Sequence, residues 1–165
     1  MKAIYITGFM GAGKTTIGKK LGERLQADVI DTDQHIEHNL GQKISEIFSQ
    51  QGEAYFRELE TNALKTLPTE NIIITTGGGI VTKDTNVEWM KEYGTIVYLH
   101  TEFLNLMKRL EGDSTRPLLQ QKSLDDIKKI YDERLPQYNK ADIIIQTCNK
   151  SVLEVVDEVV HQIKH

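Results

Sequence analysis

The chain has 165 residues, of which 39% are hydrophobic and 27% charged, with a formal net charge of −4 and no Lys/Arg cluster. This composition predicts one globular domain over residues 1–165 and argues against nucleic-acid or membrane partners. Cys148 is the only cysteine, which excludes a disulfide framework and a cysteine metal site. No signal-peptide pattern precedes the first strand, so we expect a cytoplasmic protein. We also expect a monomer.

The chain opens with a strand, a glycine-rich loop and a helix. Residues 8–15 read G-x-x-x-x-G-K-[ST], the pattern of a phosphate-binding loop. The apolar residues 3–6 are typical of a buried parallel strand, and apolar residues at four-residue spacing predict a helix over 14–26. The loop amides and the helix N-terminus can bind an anion, Lys14 can reach the β- and γ-phosphates, and Thr15 can ligate Mg²⁺. We predict a nucleotide site here rather than a glycine-rich turn that binds nothing.

Strand and helix patterns alternate along the rest of the chain. The predicted strands cover residues 3–6, 28–30, 72–75, 95–99 and 142–145. The predicted helices cover residues 14–26, 33–40, 44–51, 53–67, 85–92, 102–110, 124–138 and 151–164. Such alternation predicts an α/β fold of three layers, in which helices cover both faces of a parallel sheet.

Two aspartates follow the second predicted strand, at the edge where parallel sheets collect ligands. If the segment is still extended, Asp31 and Asp33 point the same way. One carboxylate near Thr15 could hold a water of the Mg²⁺ shell, and the other could accept a proton from a substrate hydroxyl or orient it. The alternative is that Asp33 caps a helix beginning near Gln34.

Three consecutive glycines, residues 77–79, end the third predicted strand. Ordering three glycines has a large entropic cost, so packing explains them poorly. A backbone that must come close to a ligand would explain them, and a flexible turn is the alternative.

A polar stretch and a set of arginines complete the candidate site. Residues 111–123 contain few core-forming side chains, which predicts a mobile lid, with a plain connector as the alternative. Arg57 could form a surface ion pair with Glu60, and Arg134 could be solvated. As a set, the arginines suit an anionic co-substrate and a phosphoryl transition state. They are Arg57, Arg109, Arg116 and Arg134.

Two further patterns carry no function in our interpretation. Residues 139–142 read N-K-A-D, like the guanine-reading motif of GTPases, but they precede a strand and so belong to the opposite edge of the sheet. His35 and His38 share a helix face without a third ligand nearby, so we interpret them as surface residues.

These motifs, in this order, resemble those of the shikimate kinase family from residue 8 to residue 138. The phosphate-binding loop alone occurs in many families, whereas the combination of D-T-D, F-R-x-x-E, G-G-G and R-P-L-L is far more specific. The matching segments are 8–18, 31–33, 44–48, 52–60, 76–81, 116–119 and 134–138. The resemblance implies transfer of the ATP γ-phosphoryl group to the 3-hydroxyl of shikimate, a step toward chorismate and the aromatic amino acids. It also implies a P-loop NTPase fold like that of nucleoside monophosphate kinases, with a five-stranded parallel sheet.

The resemblance also implies roles on the nucleotide side. Thr15 binds Mg²⁺, and Asp31 holds the ion through water. Arg109 lies along the adenine, and Arg116, from the lid, closes on the phosphates. Residues that contact ATP are Gly11, Ala12, Gly13, Lys14, Thr15, Thr16, Arg109 and Arg116. The residue after Ile145 that faces adenine is open, with Asn149 and Lys150 as candidates.

On the acceptor side the implied roles fall on five residues. Asp33 contacts the shikimate hydroxyls and is the candidate base, while Arg57 and Arg134 grip the carboxylate. Gly78 supplies backbone contacts, and Glu60 holds Arg57 in place. The residues expected to be catalytic are Lys14, Asp33 and Arg116.

Three other functions compete with this interpretation. A gluconate kinase shares the loop but gives no reason for F-R-x-x-E together with G-G-G. A nucleoside monophosphate kinase would carry base-reading signatures that are absent here. A non-enzymatic nucleotide-binding module would bind ATP without acceptor-dependent turnover, and it gives no reason for Asp33 or the lid arginine.

Overall fold

The computed structural model describes residues 1–110 and 122–164. All five strands are parallel, in the order β2-β3-β1-β4-β5, as the alternating pattern predicted. The strands are β1 (Ala3–Thr7), β2 (Asp28–Asp31), β3 (Ile72–Thr75), β4 (Gly94–His100) and β5 (Ile143–Gln146). The helices in the described ranges are α1 (Lys14–Leu25), α2 (Thr32–Leu40), α3 (Ile44–Gln51), α4 (Glu53–Thr66), α5 (Asp84–Tyr93), α6 (Phe103–Leu110), α7 (Leu124–Tyr138) and α8 (Val152–Lys164), with a 3₁₀ turn at Ile80–Thr82.

The centre of the sheet holds the most apolar strands. Every residue of β1 and β3 is buried, because each strand has neighbours on both sides and helices over the sheet. β2 and β5 lie at the two edges and leave Val29 and Ile144 partly exposed.

The direction of the crossovers places helices on both faces. The connection from β1 to β2 runs toward one edge of the sheet, whereas the later connections run toward the other. Since such crossovers are right-handed, α1 lies on the face opposite α4 and α5, and α8 packs against α1. No helix within these ranges is both long enough and apolar enough to cross a membrane.

The predicted element boundaries differ from the observed ones by no more than one residue, and one difference has a chemical consequence. The helix predicted from Asp33 begins at Thr32, so Asp31 ends β2 and Asp33 lies in the first turn of α2. The extended backbone on which both aspartates would point the same way therefore ends at Asp31.

The carboxyl ends of β1, β2 and β3 form one edge, where three loops contact each other directly. Thr76 donates its amide to the carbonyl of Ile6 at 3.0 Å, and the Gly77 amide donates to Thr32 Oγ1 at 3.0 Å. These bonds bring the triple glycine between the phosphate-binding loop and the start of α2.

The N-K-A-D segment lies at the other edge, as predicted. Asp142 Oδ2 accepts a hydrogen bond from the Ile96 amide at 2.8 Å, near the start of β4. The aspartate therefore stabilises the start of β4 and does not bind a nucleotide base through this oxygen.

Candidate active site

The phosphate-binding loop joins β1 to α1 and adopts the conformation that its glycines permit. Gly11 and Gly13 have φ values of 84° and 92°, a region that residues with a Cβ rarely adopt. Lys14 begins α1, and its Nζ donates to the carbonyls of Gly8 at 2.5 Å and Phe9 at 3.1 Å. The ammonium group thus lies across the loop, beside a cleft of about 660 Å³. That cleft is lined by Met10, Gly11, Gly13, Lys14, Thr15, Thr16, Asp31, Asp33, Thr76, Gly77 and Gly78.

The two aspartates have different surroundings. Asp31 is the N-cap of α2, since its Oδ1 accepts from the Gln34 amide at 3.0 Å. Its Oδ2 accepts from Thr75 Oγ1 at 2.9 Å, so the carboxylate is fixed between β3 and α2. The alternative that Asp33 caps this helix is wrong, because Asp31 performs that role.

Asp33 has a buried oxygen without a partner. Its Oδ1 is inaccessible to solvent and has no hydrogen-bond partner among the residues described. Burial, reinforced by the negative charges of Glu60 and Asp31, raises the pKa of Asp33 to about 7, and Lys14 opposes this shift. Such a carboxyl group can accept a proton near neutral pH, which suits a general base.

The side of the site away from the phosphate-binding loop is built around a buried ion pair. Arg57 Nη1 donates to Glu60 Oε1 at 2.6 Å, and Glu60 is fully buried. The interpretation of this pair as a surface contact is therefore wrong. Arg57 Nη2 also reaches Glu53 Oε1 at 3.1 Å, on the exposed side of α4.

Arg134, on α7, lies in the same part of the site as the Arg57–Glu60 pair. It is only 6% exposed, so the solvated alternative is wrong as well. Its guanidinium carbon lies 5.6 Å from the centre of the Phe9 ring. The fold thus brings together two arginines that are distant in sequence.

The triple glycine is explained mainly by the protein's own side chains. A Cβ on Gly79 would lie 2.3–2.5 Å from the Arg57 guanidinium, so only glycine leaves room for that group. A Cβ on Gly77 would lie 2.7 Å from Asp33 Oδ1 and 2.8 Å from Glu60 Oε2. The sequence predicted close approach by a ligand, whereas at these two positions the approaching groups are the charged residues of the site.

The arginines border a second cleft, of about 500 Å³, which adjoins the first. Its apolar side includes Phe48 and Phe56, whose ring centres are 4.9 Å apart. The residues that line both clefts are Met10, Asp33, Gly77 and Gly78. Asp33 is the titratable group among them, so a carboxyl group lies where the two clefts meet.

The remaining predicted residues fall outside this centre. Arg109 is exposed and donates from Nη1 to the Gly11 carbonyl at 3.1 Å. Arg116 and residues 111–121 of the predicted lid lie outside the described residues. His35 contacts Asn39 at 3.1 Å, and in the described part of the chain no group of three or more His, Cys, Asp or Glu side chains could hold a metal ion.

The sequence patterns did not predict several residues that shape the site. Glu53 lies one helical turn before Arg57, and the i, i+4 spacing was the available signal. Thr32 and Thr75 hold Gly77 and Asp31 in place. Tyr138 donates to the Gly78 carbonyl at 2.5 Å, a contact across 60 residues for which the sequence has no local signal.

Comparisons with known proteins agree with this geometry. A family model described as Shikimate kinase matches residues 10–164. The shikimate kinase of Bacillus cereus strain AH187 is 51% identical over 163 residues and covers 99% of both chains. The shikimate kinase of Persephonella marina is 41% identical over 165 residues, covering 99% of this chain and 100% of the relative.

Solved structures give the same result. Shikimate kinase from Acinetobacter baumannii in complex with shikimate superposes with a TM-score of 0.94 and 34% identity, covering 99% of this chain and 93% of that one. A gluconokinase from Sinorhizobium meliloti reaches a TM-score of 0.63 at 14% identity, covering 98% of this chain and 91% of that one, a likeness of fold alone. With this match in sequence and structure along nearly its whole length, the chain belongs to the shikimate kinase family.

Proposed function

We propose that the chain transfers the γ-phosphoryl group of ATP to the 3-hydroxyl of shikimate, giving shikimate 3-phosphate and ADP. As a member of its family it is an ATP-dependent small-molecule kinase of the shikimate pathway. The observation that carries the proposal is the position of Asp33, which lines both the phosphate-loop cleft and the cleft that holds Arg57 and Arg134.

The nucleotide side follows from the phosphate-binding loop. Its backbone amides and the N-terminus of α1 suit the phosphates of ATP, and Lys14 neutralises charge between the β- and γ-phosphates. The proposed ATP contacts are Gly11, Ala12, Gly13, Lys14, Thr15 and Thr16, with Arg109 beside the adenine and Arg116 on the phosphates.

Thr15 and Asp31 suit a magnesium ion. Both line the phosphate-loop cleft, and their oxygens are the hard ligands that Mg²⁺ prefers. Each Asp31 oxygen accepts one hydrogen bond and retains a lone pair, which supports a contact through a metal-bound water. When bound, the ion would neutralise negative charge on the transferring phosphoryl group.

The acceptor cleft suits a small polyhydroxylated carboxylate. Arg57 and Arg134 provide a basic end for the carboxylate, and the phenylalanines cover the apolar side of the ring. Gly78 presents backbone between the two clefts. Shikimate bound in this way places a hydroxyl group toward Asp33.

Asp33 performs the proton transfer in this proposal. The carboxylate accepts the proton of the 3-hydroxyl as the hydroxyl oxygen bonds to the γ-phosphorus. The bond between that phosphorus and the β,γ-bridging oxygen breaks, and ADP leaves with the electron pair. The raised pKa of Asp33 makes it a better acceptor than an exposed aspartate.

An assay of ADP release across candidate acceptors tests the function. We expect turnover to require shikimate, ATP and Mg²⁺ together, and kcat/KM for gluconate to be at least about 10²-fold lower, because gluconate lacks the ring that the cleft encloses. Equal turnover with gluconate would contradict the proposal. Binding of ATP without acceptor-dependent ADP release would instead indicate a nucleotide-binding module.

The substitution Gly79→Ala tests the arginine pocket. Gly79 has φ −94°, which alanine tolerates, and the atoms nearest to the added Cβ belong to the Arg57 guanidinium, which it would displace from Glu60. We expect KM for shikimate to rise by about tenfold while KM for ATP changes little. Steady-state kinetics with each substrate varied in turn provide the measurement, and an unchanged KM for shikimate would disprove this role of the glycine.

A further inference from the structure

Tyr138 is a buried residue to which the proposed mechanism assigns no task. It is the last residue of α7, it is 1% exposed, and its ring stacks on Tyr98 at 4.8 Å with an interplanar angle of 5°. The stack fixes the ring, and so the position of the hydroxyl group.

The Tyr138 hydroxyl contacts the glycine loop of the acceptor cleft. It donates to the Gly78 carbonyl at 2.5 Å, and while burial raises the pKa of this hydroxyl, the positive charge of nearby Arg134 opposes the shift. Arg134 lies four residues earlier on α7, so both side chains share one face of the helix. The hydroxyl thus holds the glycine loop after β3 and lies near the side chain of Arg134.

The bond to the Gly78 carbonyl also determines the orientation of the next amide. The peptide between Gly78 and Gly79 is planar, so holding its oxygen aims its N–H group in the opposite direction. No hydrogen bond within the described part of the chain occupies the amides of Gly78 or Gly79, and both residues line the acceptor cleft. The Ile80 amide closes this turn on the Gly77 carbonyl at 3.2 Å, and the bond from Tyr138 adds a constraint on the central peptide of the turn, where glycine is the least restricted residue.

We propose that Tyr138 is a positioning residue for the acceptor substrate, which holds the Gly78–Gly79 peptide in place beside the Arg134 guanidinium. This inference rests on the proposed function, since it assumes that the acceptor carboxylate and hydroxyls bind in this cleft. Tyr138 touches the groups that hold the substrate and not the reacting atoms.

The chain offers a matched control on the same helix. Tyr131 is 4% exposed, and its hydroxyl donates to the Thr101 carbonyl at 2.9 Å, after β4. Tyr138→Phe and Tyr131→Phe therefore each remove one buried hydrogen bond from a tyrosine of α7 to a backbone carbonyl. They differ in which carbonyl loses its donor.

Steady-state kinetics of the two variants test the proposal. For Tyr138→Phe we expect KM for shikimate to rise roughly fivefold to tenfold, with KM for ATP changed by less than about twofold. For Tyr131→Phe we expect both constants to stay within about twofold of the wild type. Equal changes in the two KM values, or the same rise in both variants, would show a merely structural role and overturn the inference.

A measurement of ligand binding by thermal unfolding distinguishes failure of the Tyr138 proposal from failure of the proposed function. The rise in Tm caused by saturating shikimate, without ATP, is compared with the rise caused by ADP in each variant, so that a general loss of stability cancels. With shikimate at about 100-fold the Kd of the wild type, we expect Tyr138→Phe to lose about a third to a half of the shikimate-induced rise and to retain the ADP-induced rise. Retention of the full shikimate effect would refute the role of Tyr138. A wild-type protein that does not phosphorylate shikimate would instead refute the proposed function.

Discussion

Asp33→Asn is expected to lower kcat for shikimate phosphorylation by about 10²- to 10⁴-fold, because the amide cannot accept the hydroxyl proton. The change preserves shape, so KM for ATP should stay close to that of the wild type. Asp28, exposed on the same strand-to-helix segment, offers Asp28→Asn as a control that should leave kcat unaltered. A near-normal kcat in Asp33→Asn would remove Asp33 as the base.

The same residue predicts the pH dependence of the wild-type reaction. With a pKa of about 7, Asp33 is protonated below neutral pH and cannot accept a proton there. We expect kcat/KM for shikimate to increase as pH rises through about 7 and then to level off. The residual activity of Asp33→Asn should not show this increase near pH 7. The same increase in the variant would mean that another group causes it.

The free energy of unfolding of the wild type should fall over the pH range in which its activity rises. The pKa of Asp33 is raised from its ordinary value of 3.8, so the folded protein binds more protons than the unfolded chain between about pH 4 and 7. Stability therefore falls as pH rises through this window, and above it the buried carboxylate opposes folding. At pH 8 we expect Asp33→Asn to raise the free energy of unfolding by about 1–3 kcal/mol, with a smaller difference at pH 5. Denaturant melts at both pH values provide the test.

Arg57→Ala is expected to raise KM for shikimate by about 10²-fold, since it removes one of the two guanidinium groups at the basic end of the cleft. It should also lower stability by about 3–5 kcal/mol, because it leaves Glu60 buried without its partner. Kinetics with shikimate varied and denaturant unfolding measure the two effects. Affinity for ADP should be almost unchanged, and a large loss there would show that Arg57 belongs to the nucleotide site.

A double substitution separates binding from stability. Glu60→Gln on the Arg57→Ala background removes the uncompensated buried charge, so much of the lost stability should return. The KM for shikimate should remain high, because the guanidinium is still missing. Recovery of both properties would mean that Arg57 acts only by supporting the fold.

The sequence by itself determined the architecture and the phosphate-binding loop. The phosphate-binding loop is a continuous segment whose glycines, lysine and threonine act through local backbone geometry, so its pattern carries its structure. The alternation of apolar strands and amphipathic helices is likewise local, and the sheet order then follows from a few topological rules. The same rules placed the residues after β1, β2 and β3 at one edge.

Only the tertiary structure decided the surroundings of each charged residue, and so its role. Asp31 and Asp33 look equivalent in sequence, but a helix beginning at Thr32 gives the cap to one and leaves a buried, unpartnered oxygen on the other. Burial distinguishes the Arg57–Glu60 pair from an ordinary surface pair. The roles of Gly79 and Tyr138 depend on contacts with Arg57 and Gly78, which lie 22 and 60 residues away in the sequence. Desolvation and close packing between distant segments produce these effects, and neither is encoded in the spacing of neighbouring residues.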